Sequence, residues 1–413
     1  MPGPQRKPCP PSEKVPGVRV KTAPHGFYEF FAGGGMARLG LGSNWRCLFA
    51  NEWSARKAAS YRANFPPAAE LKVDDIWNLS TADLPRGASL AWASFPCQDL
   101  SLAGNGAGLN GARSGALIKF WDLMRDLARG GRPVPVIALE NVVGALTSNQ
   151  GRDFERMAEL AAAAGYRFGA FVIDAAAFVP QSRPRLFFVA AHDSVSIPAG
   201  PGKRWRNARL DRAVSALSPH LRKRWIWWAL PATPASTNRL SDVIEFENPH
   251  LKWHTREETQ RLLSMMSQAN ILKVRKAQAQ GKRIVGTVYR RVREENGIRT
   301  QRAEVRFDQI SGCLRTPAGG SSRQIILIIE DRSVRSRLMT AREAGRLMGL
   351  PDNYLLPERY NDAYHLAGDG VVVPVVRFIA DHLLTPLTIR AAGRCTEGSS
   401  ARRRPRARPA PLR

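Results

Sequence analysis

The chain has 413 residues, 44% of them hydrophobic, which is enough for one large domain and a smaller one, each with its own core. Its formal charge of +27 points to a polyanionic partner, and no apolar run in the sequence reaches the roughly 18 to 20 residues of a membrane span. The five cysteines are scattered without paired spacing, so neither a disulfide framework nor a zinc or other metal site is expected.

Residues 1–25 are basic and proline-rich and are expected to be disordered; they lack the apolar stretch of a signal peptide, so a cytoplasmic location is expected. Then the pattern becomes regular. FYEFF (27–31) reads as a buried strand running into AGGG, and CLFANE (47–52) as the next strand. SARKAASYRANF (54–65) reads as a helix, SLAWASF (89–95) as a strand and ALIKFWDLMRDLAR (116–129) as an amphipathic helix. PVIALE (135–140) is a strand, FERMAELAAAAGYRF (154–168) a helix leading into another, and RLFFVAA (185–191) a further strand. Apolar strands alternating with helices predict a doubly wound, mostly parallel α/β sheet covered on both faces. Residues 192–310 carry a net +12 and have no clear periodicity. Regularity returns at TARE (340–343), a capping box with Thr340 as N-cap, and a last helix is expected over about 374–384. Residues 390–413 carry +7.

Several polar groups fall at the carboxyl ends of these strands, where open α/β sheets place their sites. The glycines of EFFAGGGMARLGLG (29–42) let backbone approach a nucleotide closely, although a dinucleotide site looks much the same. Glu52 suits a ribose diol and Asp75 an adenine amino group, though either is equally an ordinary helix N-cap. Cys97, in FPCQDLS, sits in a polar context that suits a nucleophile better than an inert buried thiol. Glu140 closes another strand and suits proton transfer to a ring nitrogen. Gln181, Arg183 and Arg185 alternate and share one face of an extended segment, fitting phosphates, base edges or local acids.

In this order the motifs resemble those of the cytosine-5 DNA methyltransferase family, in its bacterial restriction-modification form. The resemblance runs over about 27–190 and 310–385. It implies a Rossmann-like domain that binds S-adenosyl-L-methionine, with a smaller target-recognition domain. It assigns Cys97 as nucleophile and Glu140, Arg183 and Arg185 as groups engaging the cytosine. It gives the donor Phe31, Gly33 and Gly35 of the first motif, Glu52, Trp53, Asp75 and Ile76. Pro96, Leu117, Asp369 and Val371 complete that pocket. DNA contacts fall to Gln98, Ser101, Gln181 and Arg315, and to Arg290 and Arg291 in YRRVR (289–293). Two positions depart from the family pattern: Met36 replaces a glycine of the first motif, and Gly368-Asp369-Gly370-Val371 stands for Gly-Asn-Ser/Ala-Val. Asp369 removes an amide donor and adds a charge near the donor's carboxylate.

The expected organisation is a basic tail at 1–25, a catalytic and donor-binding domain at 26–193 and a target-recognition domain at 194–312. A return segment at 313–388 completes the catalytic domain, before a disordered Arg-rich tail at 389–413. Trp225, Trp227 and Trp228 are expected in the core. The implied partner is double-stranded DNA, with a cognate restriction endonuclease as a possible companion, no membrane, and a monomeric enzyme. Rival readings are a tRNA cytosine-5 methyltransferase, a DNA-binding relative with a degenerate donor pocket, and a dinucleotide-dependent oxidoreductase, which leaves the cysteine, glutamate and arginine motifs unexplained.

Overall fold

The structure is a computed structural model that describes residues 25–95, 115–197, 202, 204–233, 237–295, 297–316, 323–331 and 333–400, the last helix without side chains beyond 392. The catalytic sheet is built from β1 (His25–Phe30), β2 (Trp45–Glu52), β3 (Leu71–Val73), β4 (Ala88–Ala93), β5 (Val136–Val142), β6 (Tyr166–Asp174) and β7 (Pro184–His192). Its order is β3-β2-β1-β4-β5-β7-β6. The first five strands run parallel, and β7 is antiparallel to both β5 and β6. With that one reversal the sheet is mostly parallel, as expected. Only Ala175–Arg183 links β6 to β7, too short for a crossover that would keep the strands parallel.

Both faces of the sheet are buried because apolar residues fill both pleat sides. Phe27, Trp92, Ala138 and Val189 point to one side, and Phe30, Ala93, Leu139 and Phe188 to the other. On the first side lies α1 (Met36–Leu41); on the second lie α3 (Ala116–Arg129) and α4 (Arg152–Ala163). α2 (Ala55–Asn64), between β2 and β3, starts at Ser54, whose hydroxyl accepts from Lys57 N.

α5 (Ala208–Ala216) and α6 (Pro219–Lys223) stay with this sheet, as do the tryptophans that follow. Ile226 N donates to Phe168 O at 2.7 Å, and Trp225 packs edge-on against Phe154 and Phe168. Trp228 is buried, so these rings belong to the core as expected. α7 (Leu240–Val243) also joins the first core. The second lobe therefore starts later than residue 194. It holds α8 (Arg256–Ser264), α9 (Gln268–Gln278), β8 (Ile284–Glu295) and β9 (Ile298–Arg306). It also takes β10 (Ile325–Glu330) and β11 (Ser333–Leu338), expected with the catalytic domain, because they complete a sheet of order β11-β10-β8-β9.

The chain returns through α10 (Ala341–Leu347). Thr340 Oγ1 accepts from Glu343 N at 3.1 Å and Glu343 Oε2 from Thr340 N at 2.7 Å, the expected capping box. α11 (Tyr360–Asp369) and α12 (Val373–Ile379) cover the first motif. A wide turn at 380–384 leads into α13 (Thr385–Ser400), so residues 389–400, expected as part of a disordered tail, are helical. The stretch Tyr360–Ala392 has the length and composition of a membrane span, unlike any run anticipated from the sequence, yet 56% of its most apolar window is buried in the fold. It reads as core helix.

Candidate active site

The tip of β1 carries the first motif. Phe31 takes a left-handed backbone (φ 57) that costs a non-glycine residue energy, a feature often found where a chain must aim a group into a site. Gly33 also has positive φ (58), and a Cβ built on it would meet nothing within 4 Å, so the loop fronts open space. Gly33 N donates to Glu52 Oε2 at 2.8 Å, and Glu52 Oε1 accepts from Ser54 N at 2.8 Å. The carboxylate is thus clamped at the mouth of that space with lone pairs left over for a ribose diol. Trp53, next to it, is 69% exposed and offers a free ring face. Asp75 is exposed and caps the short turn Ile76–Asn78 through Trp77 N at 3.1 Å, while Ile76 is buried beneath. Leu117, in the first turn of α3, is fully buried.

The two departures from the family pattern answer each other. A Cβ built on Gly370 would collide with Met36 Sδ, so the bulk gained at 36 occupies the room vacated at 370. Asp369 is paired with Lys57 at 2.7 Å, which offsets the added charge. Tyr354 OH donates to Gly34 O at 2.6 Å and further secures the loop. Lys57 and Tyr354 were not anticipated, because only the fold brings α2 and the segment before α11 against the first motif. Val371 is buried. These groups fit S-adenosyl-L-methionine: an open cradle, a clamped carboxylate and an exposed indole.

The second group lies along β5 and β7. Glu140 is buried and pairs with Arg185 Nε at 3.0 Å, since the register partner of Arg185 is Val142, two residues on from Glu140 and on the same face of β5. Asn141 Nδ2 donates to Phe95 O at 3.2 Å, anchoring the chain just before the cysteine segment. Cys97 itself, with Pro96, Gln98 and Ser101, lies outside the described residues.

Arg183 and Gln181 are corrections. Arg183 is buried, and its guanidinium donates to Leu314 O at 2.9 Å, Gly368 O at 2.7 Å and Gly370 O at 2.8 Å. Rather than facing DNA, it laces the segment at 313–316 and the end of α11 to β7. Gln181 is fully buried, donating to Leu347 O at 2.8 Å and accepting from Leu314 N at 3.0 Å. The alternation seen in sequence is real, but the shared face turns inward here. Arg185 alone remains beside Glu140. Cys313, unanticipated, lies 3.5 Å from Arg183 Nη1. Burial pushes its thiol up, but Arg183 and Arg185 outweigh that and hold it below its ordinary value. Arg315 is exposed, with its backbone against Gly368. Arg290 and Arg291 lie on β8, in the second lobe.

An open sheet with a reversed seventh strand, a glycine cradle after the first strand and acids at the following strand ends has the architecture of an S-adenosyl-L-methionine-dependent methyltransferase. The profile of the C-5 cytosine-specific DNA methylases matches residues 26–385, and the chain belongs to that family. It is 25% identical over 362 residues to the type II methyltransferase M.Bsp6I of Bacillus sp. (strain RFL6), covering 86% of this chain and 97% of that protein. It is 25% identical to M.HpaII of Haemophilus parainfluenzae, covering 91% and 92%. Among solved structures, Dnmt2 of Spodoptera frugiperda superposes with a TM-score of 0.58 at 16% identity, covering 88% of this chain and 99% of that one. Entamoeba histolytica EhMeth gives 0.59 at 15%, covering 89% and 99%. The protein is a DNA cytosine-5 methyltransferase that uses S-adenosyl-L-methionine.

Proposed function

We propose that the chain methylates cytosine at a defined duplex sequence through a covalent adduct to Cys97, and that it acts in the cytoplasm as a monomer beside a cognate restriction endonuclease. The observation that carries the catalytic reading is the buried Glu140–Arg185 pair beside the anchored approach to Cys97. Carbon 5 of cytosine is a weak nucleophile, so the reaction is divided into easier steps. The Cys97 thiolate bonds to carbon 6, and Glu140 holds the proton at ring nitrogen 3 while Arg185 keeps that acid oriented. Carbon 5, now enamine-like, accepts the electrophilic methyl that the bound donor supplies. Transfer leaves S-adenosylhomocysteine; a base then takes the carbon 5 proton, the electron pair re-forms the 5,6 double bond and expels Cys97 as thiolate, and the nitrogen 3 proton returns to Glu140. The cytosine must leave the helix for any of this, so it is flipped out.

The test is incubation with tritiated S-adenosyl-L-methionine and unmethylated duplex, alongside Cys97→Ala and Glu140→Gln, with methylcytosine mapped by sequencing. Wild type labels carbon 5 within one sequence context, Cys97→Ala labels nothing, and Glu140→Gln is slowed by about 10²–10⁴-fold. S-adenosylhomocysteine binds all three proteins alike. Label in tRNA and not in duplex DNA overturns the substrate assignment. Donor binding with no label anywhere favours a DNA-binding relative.

A further inference from the structure

The second lobe carries a ribbon that outruns its sheet. β10 pairs with β8 only over Ile284–Val288, whereas β8 and β9 stay paired to Glu295 and Ile298. Seven residues of each strand, 289–295 and 298–304, therefore extend beyond the third strand, roughly 20 Å of two-stranded ribbon. Two strands alone are marginal in water, and this pair also exposes Val292 and Ile298 at 50% and 68%. Its charge is basic, with Arg290, Arg291, Arg293, Arg299 and Arg302. A ribbon of two strands fits the major groove of B-form DNA.

Strand parity decides which side can do so. On β8, Ile284 and Val288 pack on α8 and α9, so the even side of the ribbon continues the helix-covered face. Arg290 lies on it, near enough to His254 for its charge to add, after burial, to the lowering of that imidazole's pKa. Val285, with Ile326 and Ile328 across the ladder, packs instead into the core shared with the catalytic lobe. The odd side of β8, with the even-numbered β9 residues paired to it, continues this second face, bringing together Tyr289, Arg291, Arg293, Thr300, Arg302 and Glu304. At its root Arg306 pairs with Asp308 and also feels Asp174, the acid that accepts from Arg183 N at 2.7 Å. Where β9 ends, Ser182 N donates to Ser311 O at 2.9 Å. The ribbon thus springs from the edge of the catalytic sheet that holds Glu140 and Arg185.

We propose that this second face of the ribbon reads guanine in the major groove beside the target cytosine, through Arg291, Arg293 and Arg302, with Glu304 as the acid that aligns the first two. Glu304 accepts from Tyr289 OH and from Arg293, and Arg291 lies 4.0 Å away. Guanine O6 and N7 match a guanidinium fork held in that way. The inference rests on the DNA substrate given under Proposed function and separates the two arginines at 290 and 291: the first turns to the helices, the second to the DNA.

The experiment follows mapping of the methylated site. Affinity of the full chain, with S-adenosylhomocysteine present, is measured by fluorescence anisotropy for a duplex holding the site and for a scrambled duplex of equal length. Arg291→Ala, Arg293→Ala and Arg302→Ala each lower the specific-to-nonspecific ratio by about 5–150-fold, while Arg290→Ala and Arg299→Ala leave it within about twofold. Arg291→Lys keeps the charge but loses the fork, so the ratio falls while the salt dependence of binding stays. Melting curves separate misfolding from lost reading. An unchanged ratio in the Arg291, Arg293 and Arg302 variants, or equal effects from both faces, overturns the proposal. Failure of the wild type to methylate any duplex overturns instead the function on which it rests.

Discussion

At the residue scale, the donor pocket is a set of compensated substitutions. Gly370→Ala drives a methyl into Met36 Sδ, so it should weaken S-adenosylhomocysteine binding by about tenfold in calorimetry. The double variant with Met36→Gly should recover most of that loss, and strict additivity would show that the two positions are independent. Glu29 sits behind the same loop, fully buried, with Oε1 accepting from Arg38 N at 3.2 Å and Oε2 without a partner. Burial pushes its carboxyl up to about 8. The folded state therefore keeps a proton that the unfolded chain releases above about pH 4.5. The stability this group contributes is fully present below that pH, falls as pH rises to about 8, and then levels off. Chemical unfolding of Glu29→Gln should lack this component between pH 5 and 8; identical pH profiles would refute it.

At the scale of elements, a buried ion pair rivets the two lobes. Arg337 on β11 donates to Glu343 at the start of α10, Nη1 to Oε2 at 2.8 Å, and both side chains are almost wholly buried. Glu343 also caps α10 and accepts from Glu245 N at 2.7 Å. Arg337→Met strands that carboxylate, and we expect a loss of about 3–5 kcal/mol in denaturant unfolding. Arg337→Met with Glu343→Leu should recover part of it. The capping box was legible from Thr340 and Glu343 alone, since a cap is local. That Glu343 also meets an arginine from another lobe was not.

At the scale of the molecule, charge is segregated: a net +12 lies over 192–310, much of it in the second lobe, while β1–β7 form an apolar core. DNA affinity should therefore fall steeply with salt, by about 10³–10⁵-fold between 50 and 200 mM for 6–10 phosphate contacts. A shallow slope in binding isotherms would remove the second lobe from the interface. By itself the sequence determined the order of the catalytic domain's main strands and helices, the glycine cradle, and Glu52, Trp53 and Glu140 at their strand ends. These depend on local periodicity and on residue types that chemistry requires at strand ends. Only the tertiary structure decided that β7 reverses, that Gln181 and Arg183 turn inward while Arg185 meets Glu140, that β10–β11 belong to the second lobe, and that Lys57 answers Asp369. Those facts are contacts between residues far apart in the chain, and no local pattern encodes which distant partner a side chain finds once the sheet has closed.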